Sequence, residues 1–125
     1  MPAQFQVDRR TRTVYLTLTG TFTSEDVAAT IHDMFDALAG ETAYNVFADH
    51  RGLTTAATAA QVRVAAELIG GPGSPFRGGR WAIVSATQAS FGMMRMLAVH
   101  TEEVPVEMEV FRDVESAERW LAREL

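Results

Sequence analysis

The feature that most constrains this 125-residue chain is a steady alternation of short apolar runs with amphipathic helical stripes. It begins with two β-like runs. Gln4 to Asp8 alternates Phe5 and Val7 with polar neighbours, and Thr13 to Thr19 is rich in β-branched and aromatic residues. The polar link between them is far too short for a parallel crossover, which takes about a dozen residues or more. The two runs are therefore expected to pair as an antiparallel hairpin.

From Gly20 onward, helix and strand patterns take turns. Thr23-Ser24-Glu25-Asp26 supplies an N-cap hydroxyl and first-turn carboxylates. Val27, Ile31, Met34, Phe35 and Leu38 then recur at helical spacing, and Gly40 stops the helix. Tyr44 to Asp49 is mostly apolar, as befits a central strand covered on both faces. It gives way to His50-Arg51-Gly52-Leu53, which reads as a loop. Thr58-Ala59-Ala60-Gln61 matches a capping box and opens a helix to Ile69 whose buried face is Val62, Ala65, Ala66 and Ile69.

Residues 70–79 hold five glycines and two prolines, the composition of a mobile lid or connector. Arg80 to Ala86 is a further strand, Ser90 to His100 a helix, and Val106 to Phe111 an edge strand with alternating Glu107 and Glu109. Asp113 caps a last helix that packs through Val114, Ala117, Trp120, Leu121 and Leu125. The order β-β-α-β-α-β-α-β-α specifies an α/β domain with a mixed, mainly parallel sheet and an N-terminal antiparallel hairpin. At this length the whole chain, residues 1–125, is read as a single domain.

Composition narrows the function classes. There is no cysteine, hence no thiolate nucleophile, disulfide framework or cysteine metal site. The net charge is −5, against a general phosphate-neutralising surface, and every basic residue is arginine. A nucleic-acid partner is therefore not expected. The N-terminal residues lack a signal-peptide core, and no run approaches the ~18 apolar residues of a membrane span. The expectation is a cytoplasmic protein without a transmembrane segment.

In open α/β sheets, ligands gather beyond the carboxyl ends of the strands. Asp49, His50 and Arg51 lie at such an end. Neighbours along a strand point in opposite directions, so Asp49 is not placed to orient His50 as a catalytic base. No nucleophile elbow accompanies the pair, so the simpler expectation is a turn-forming Asp and a solvated His, with no catalytic residues. His32, His50 and His100 lack metal-ligand spacing, and neither a metal nor another cofactor is expected. The glycine loop follows a helix and precedes a strand, the wrong order for a phosphate loop, and it has no lysine. In Phe91-Gly92-Met93-Met94-Arg95-Met96-Leu97, apolar residues surround one arginine. This reads either as a core-facing helix or as an adaptable surface for a partner or an acyl chain.

The strand ending at Asp49, Trp81-Ala82-Ile83-Val84, Phe91 to Met96 and Val110-Phe111-Arg112-Asp113…Ala117…Trp120-Leu121, taken in order, resemble the SpoIIAA-like bacterial family, related to STAS and CRAL-TRIO domains. The resemblance implies a STAS-like fold and a non-catalytic regulatory module that binds a protein partner or a second copy of itself as a dimer. It also implies a phosphate acceptor at a helix N-terminus, which here falls at Thr58. Thr58 departs from the family's serine-rich stretch, having Ala57, Ala59 and Ala60 as neighbours, and is already explained as a cap. The CRAL-TRIO side of the resemblance implies the alternative: a domain that binds a lipid or other small hydrophobic ligand and associates with membranes. Phe76, Phe91, Met93, Met94 and Met96 are its candidates, with the glycine loop as hinge, and Asp49, His50, Arg51 and Arg95 join them as candidate ligand or partner surface.

Overall fold

The computed structural model describes residues 3–123. The elements are β1 (Ala3–Asp8), β2 (Thr13–Gly20), α1 (Ser24–Ala37), β3 (Asn45–Leu53), α2 (Ala59–Ile69), β4 (Arg80–Val84), α3 (Gln88–His100), β5 (Glu107–Phe111) and α4 (Val114–Ala122). The five strands lie side by side in sequence order. β1 pairs antiparallel with β2, and β2 to β5 pair parallel. The element order and the hairpin are those expected. Leu125, proposed as part of the last packing face, lies outside the described residues.

The helix boundaries follow local chemistry. Thr23 and Thr58 each close a capping box, with Asp26 and Gln61 respectively. Asp113 caps α4 by accepting from Ser116 N at 2.8 Å. Thr87 accepts from Ser90 N at 3.0 Å, so α3 begins at Gln88, two residues before the expected Ser90. An N-cap oxygen of this kind satisfies one of the helix's orphan amides.

Strand alternation sends Val14, Leu16, Val46, Ala48, Trp81 and Ile83 to one face, where Ile31, Met34, Val62, Ile69, Met94 and Leu97 of α1, α2 and α3 cover them. Successive parallel crossovers of one hand put their helices on the same side, which is why these three share a layer. The other face is covered by α4 alone, over Phe47, Ala82 and Val84. Both faces of β4 are thus covered, and all five of its residues are buried. The reach of α4 does not extend to β2, so Tyr15 stays 43% exposed with its ring 6.0 Å from that of Phe47.

Two expectations fail here. β3 does not stop at Asp49; it continues four residues further, to Leu53. Its pairing with β2 shifts register between Thr17 and Thr19, which face Asp49 and Gly52, so β3 carries one extra residue around His50 and Arg51. Such a bulge bends the strand and re-aims its side chains. Glycine is needed just beyond it, because a Cβ on Gly52 would lie 2.8 Å from Thr19 Cγ2 and 3.0 Å from the Leu18 carbonyl oxygen.

The glycine-rich segment, in turn, is not a lid. Ser74, Pro75 and Phe76 are buried, and Phe76 is wholly so, between the rings of Phe35 at 5.9 Å and Trp81 at 5.1 Å. Main-chain bonds from Gly78 N to Pro105 O and from Tyr44 N to Pro75 O fasten the segment to its neighbours. Phe76 therefore belongs to the core and not to a ligand or partner surface. Composition alone could not show that one aromatic residue would anchor a glycine-rich connector.

Candidate functional site

The carboxyl ends of β2 and β3 open onto a cavity of about 90 Å³ between the sheet and α1, α2 and α3. Its floor includes Leu16, Trp81 and Ile83, and its roof includes Ile31, Met34, Val62, Ala65, Met94 and Leu97. Leu53 at the end of β3 and Thr55, Ala56 and Ala57 of the loop after it border the cavity, as does Phe22 of the loop after β2. These two loops are tied together. Thr54 N donates to Gly20 O at 2.9 Å, and the hydroxyls of Thr21 and Thr54 are 2.9 Å apart. Gln61 adds a third tie, donating through Nε2 to Phe22 O.

His50 stands in the wall of this space. It also lines a smaller hollow of about 30 Å³ that reaches Thr87 and Ser90 at the start of α3. Its side chain is buried with Val46 and Ala48 on the helix-covered face, contrary to the solvated histidine expected. Nδ1 is buried and has no hydrogen-bond partner among the described residues. Burial disfavours the imidazolium and lowers the pKa to about 4, with the Asp49 charge opposing in part, so the ring is neutral at pH 7. An unpaired buried polar atom costs about 1–3 kcal/mol, so a native structure that keeps one invites a functional account.

Asp49 and Arg51 point the other way. Arg51 Nε and Nη2 donate to Asp49 Oδ1 and Oδ2 at 2.9 and 2.8 Å, and Arg51 N donates to Oδ1 at 3.0 Å. The Arg51 hydrogen bonds hold the Asp49 carboxyl below its usual range despite partial burial. Asp49 is thereby engaged with Arg51, and it does not orient His50. No acid–base relay forms at this strand end, in keeping with the side-chain alternation read from the sequence.

The Phe91 segment is split by the helix. Met94 and Leu97 point into the cavity, Phe91 and Met93 are half-buried against the core, and Arg95 and Met96 are exposed. The Arg112 guanidinium lies 4.2 Å from the centre of the Phe91 ring. Of the candidates named from sequence, His50 and Met94 are therefore brought together at the cavity, whereas Asp49, Arg51, Phe76, Phe91, Met93 and Arg95 do not line it. Thr58 is exposed at the start of α2, next to Ala57 in the cavity wall.

A family model described as SpoIIAA-like matches residues 13–122. The chain belongs to the SpoIIAA-like family. Among solved structures, it is similar to an uncharacterised protein with a SpoIIAA-like fold from Shewanella loihica, with a TM-score of 0.67 and 20% identity over 96% of this chain and 94% of that one. At that identity the likeness is one of fold. No curated protein matches the chain.

Sequence reasoning missed two residues here. Gln61 was legible as the far half of a capping box, but not as a buried side chain with all its polar atoms engaged. Its Oε1 accepts from Thr58 N at 2.9 Å while its Nε2 is taken by Phe22. Arg80 carried no signal at all. It is 6% exposed, donates from Nη1 to the carbonyls of Trp120 and Arg123 at 2.8 and 2.6 Å, and pairs through Nε with Glu107 at 3.3 Å. It pins the end of α4 to the sheet. Among the described residues no helix is long and apolar enough to cross a membrane.

Proposed function

We propose that this SpoIIAA-like domain binds a small, largely apolar ligand in the cavity at the carboxyl ends of β2 and β3, without catalysing its conversion. One observation carries the reading. A cavity of about 90 Å³ at the strand ends is lined mainly by aliphatic and aromatic side chains, with the neutral His50 as one of its few polar residues. Ligand sites are apolar clefts with a few placed polar groups, and this hollow has that form. The methyls of Met34 and Met94 report on it directly. Adding toluene should shift both resonances and leave that of exposed Met96 in place. Ala65→Leu, which fills the hollow, should abolish the shifts. If no small apolar molecule moves either methyl, the reading fails.

A second reading, a regulatory module that docks a protein partner, rests on α3. Ala89, Gly92, Met96 and Val99 form an exposed stripe at i, i+3, i+7 and i+10, with Met96 40% and Val99 61% exposed. In that reading Thr58 is the phosphate acceptor of α2, where the helix N-terminus favours added negative charge. Its capping role can be measured separately. Thr58→Ala should cost about 1 kcal/mol in urea unfolding, whereas Thr58→Asp, itself a good cap, should cost only a few tenths. Equal partner capture by the wild-type protein and Thr58→Asp would remove the switch.

A further inference from the structure

We infer that β1 is a self-pairing edge: two copies of this chain join antiparallel through it, about a two-fold axis at Phe5, into one continuous sheet. The inference is independent of both readings above and uses neither the cavity nor α3. β1 and β5 are the outer strands of the sheet. Along an outer strand, every second residue turns its N–H and C=O away from the sheet, and such groups recruit another strand unless something blocks them. β5 is blocked, because Glu107 and Glu109 stand exposed along it and like charges repel a second copy laid beside them. β1 has no such guard among the described residues. It pairs with β2 in unbroken register, and from Ala3 to Val7 it holds no charge and no proline.

The sequence of β1 points to the occupant. Ala3-Gln4-Phe5-Gln6-Val7 reads nearly the same in both directions. A closed dimer uses one patch on both subunits, so that patch must complement itself. Antiparallel pairing centred on Phe5 meets this condition. Gln4 faces Gln6 of the second copy, Ala3 faces Val7, and Phe5 faces Phe5. A glutamine amide both donates and accepts, so it pairs with its own kind without any charge. Directly opposite residues share a face of the sheet. Phe5 and Val7, packed against the core and half-buried, thus stay on the helix-covered side in both copies. Gln4 and Gln6 stay on the other side, beside Thr17 and Tyr15 of β2. Centring on Gln6 instead would set Gln4 against Asp8, whose carboxylate is committed to the hairpin turn, accepting from Arg10 N at 3.0 Å and Thr11 N at 3.3 Å. One strand pair is a small interface, so the association belongs to the weak, concentration-dependent class.

Sedimentation velocity on the full chain, from micromolar to millimolar at low salt, tests it, with hydrogen exchange of the β1 amides as the local readout. The wild-type protein should pass from monomer to dimer over that range, and alternate β1 amides should gain protection as it does. Two double variants at these exposed positions separate the outcomes. Gln4→Lys with Gln6→Lys sets lysine against lysine twice and should weaken the dimer by about tenfold. Gln4→Glu with Gln6→Lys sets glutamate against lysine twice and should dimerise at least as tightly as the wild type. A wild-type protein that stays monomeric at millimolar concentration overturns the inference. So does a dimer whose β1 amides exchange as fast as those of the monomer, and so does an equal effect of the two double variants.

Discussion

Replacing Phe76 by alanine should destabilise the domain by about 3–5 kcal/mol, a large share of what a domain of this size has in hand. The ring has no exposed surface and makes an edge-to-face contact with Trp81 and a tilted one with Phe35. Removing it leaves a void between α1 and β4 that the connector cannot readily close. Its backbone is held by Ser74 Oγ, which accepts from Phe76 N at 3.2 Å, and by the close seat of Gly79. A Cβ on Gly79 would collide with the Tyr44 carbonyl oxygen, so the backbones pack there too closely for any residue but glycine. Urea unfolding followed by tryptophan fluorescence checks the size of the loss. A cost under about 1 kcal/mol would show that the segment lies loosely on the surface, as its composition suggests.

The second large effect is on the pH dependence of stability. His50 is neutral in the fold down to about pH 4, whereas in the unfolded chain it takes up a proton near pH 6.5. Between those values the unfolded state holds more protons than the native one, so stability falls as the pH is lowered. The full loss is about 3 kcal/mol, complete near pH 4, with no further contribution from this group below that. Asp49 acts in a separate window. Its carboxyl is depressed by Arg51, so its stabilisation is present above pH 3.8 and is lost as the pH falls through its folded value. Unfolding free energies measured from pH 7 to 4.5 therefore isolate the histidine. The slope there should flatten in His50→Leu. An unchanged slope in that variant would show that burial of His50 is not its source.

What was legible in the sequence was local. Thr23, Thr58 and Asp113 are caps because a side-chain oxygen and the amide three residues on belong to the same turn. The hairpin follows from a link too short to cross over, and the alternation of Glu107 and Glu109 with apolar residues marks an edge because β5 has only one neighbour. The family pattern, spread over most of the chain, was legible for the same reason: it records an order of elements.

The tertiary structure decided the rest. The residues His50-Arg51-Gly52 look like a loop, yet pairing with β2 extends the strand through them, and alternation seats the imidazole on the buried face with Val46 and Ala48. Phe76 sits among glycines and prolines that predict surface, and Arg80 opens a strand with nothing to mark it as buried. Each acquires its environment from segments far away in the chain: Phe35 for Phe76, Trp120 and Arg123 for Arg80, and the three-helix roof for His50. The sequence by itself determined which elements form and in what order, because propensity, capping and periodicity act over a few residues. Only packing decided that a hollow would remain at the strand ends with an unpaired nitrogen in its wall, because a cavity is a property of surfaces that meet and of no one segment that supplies them.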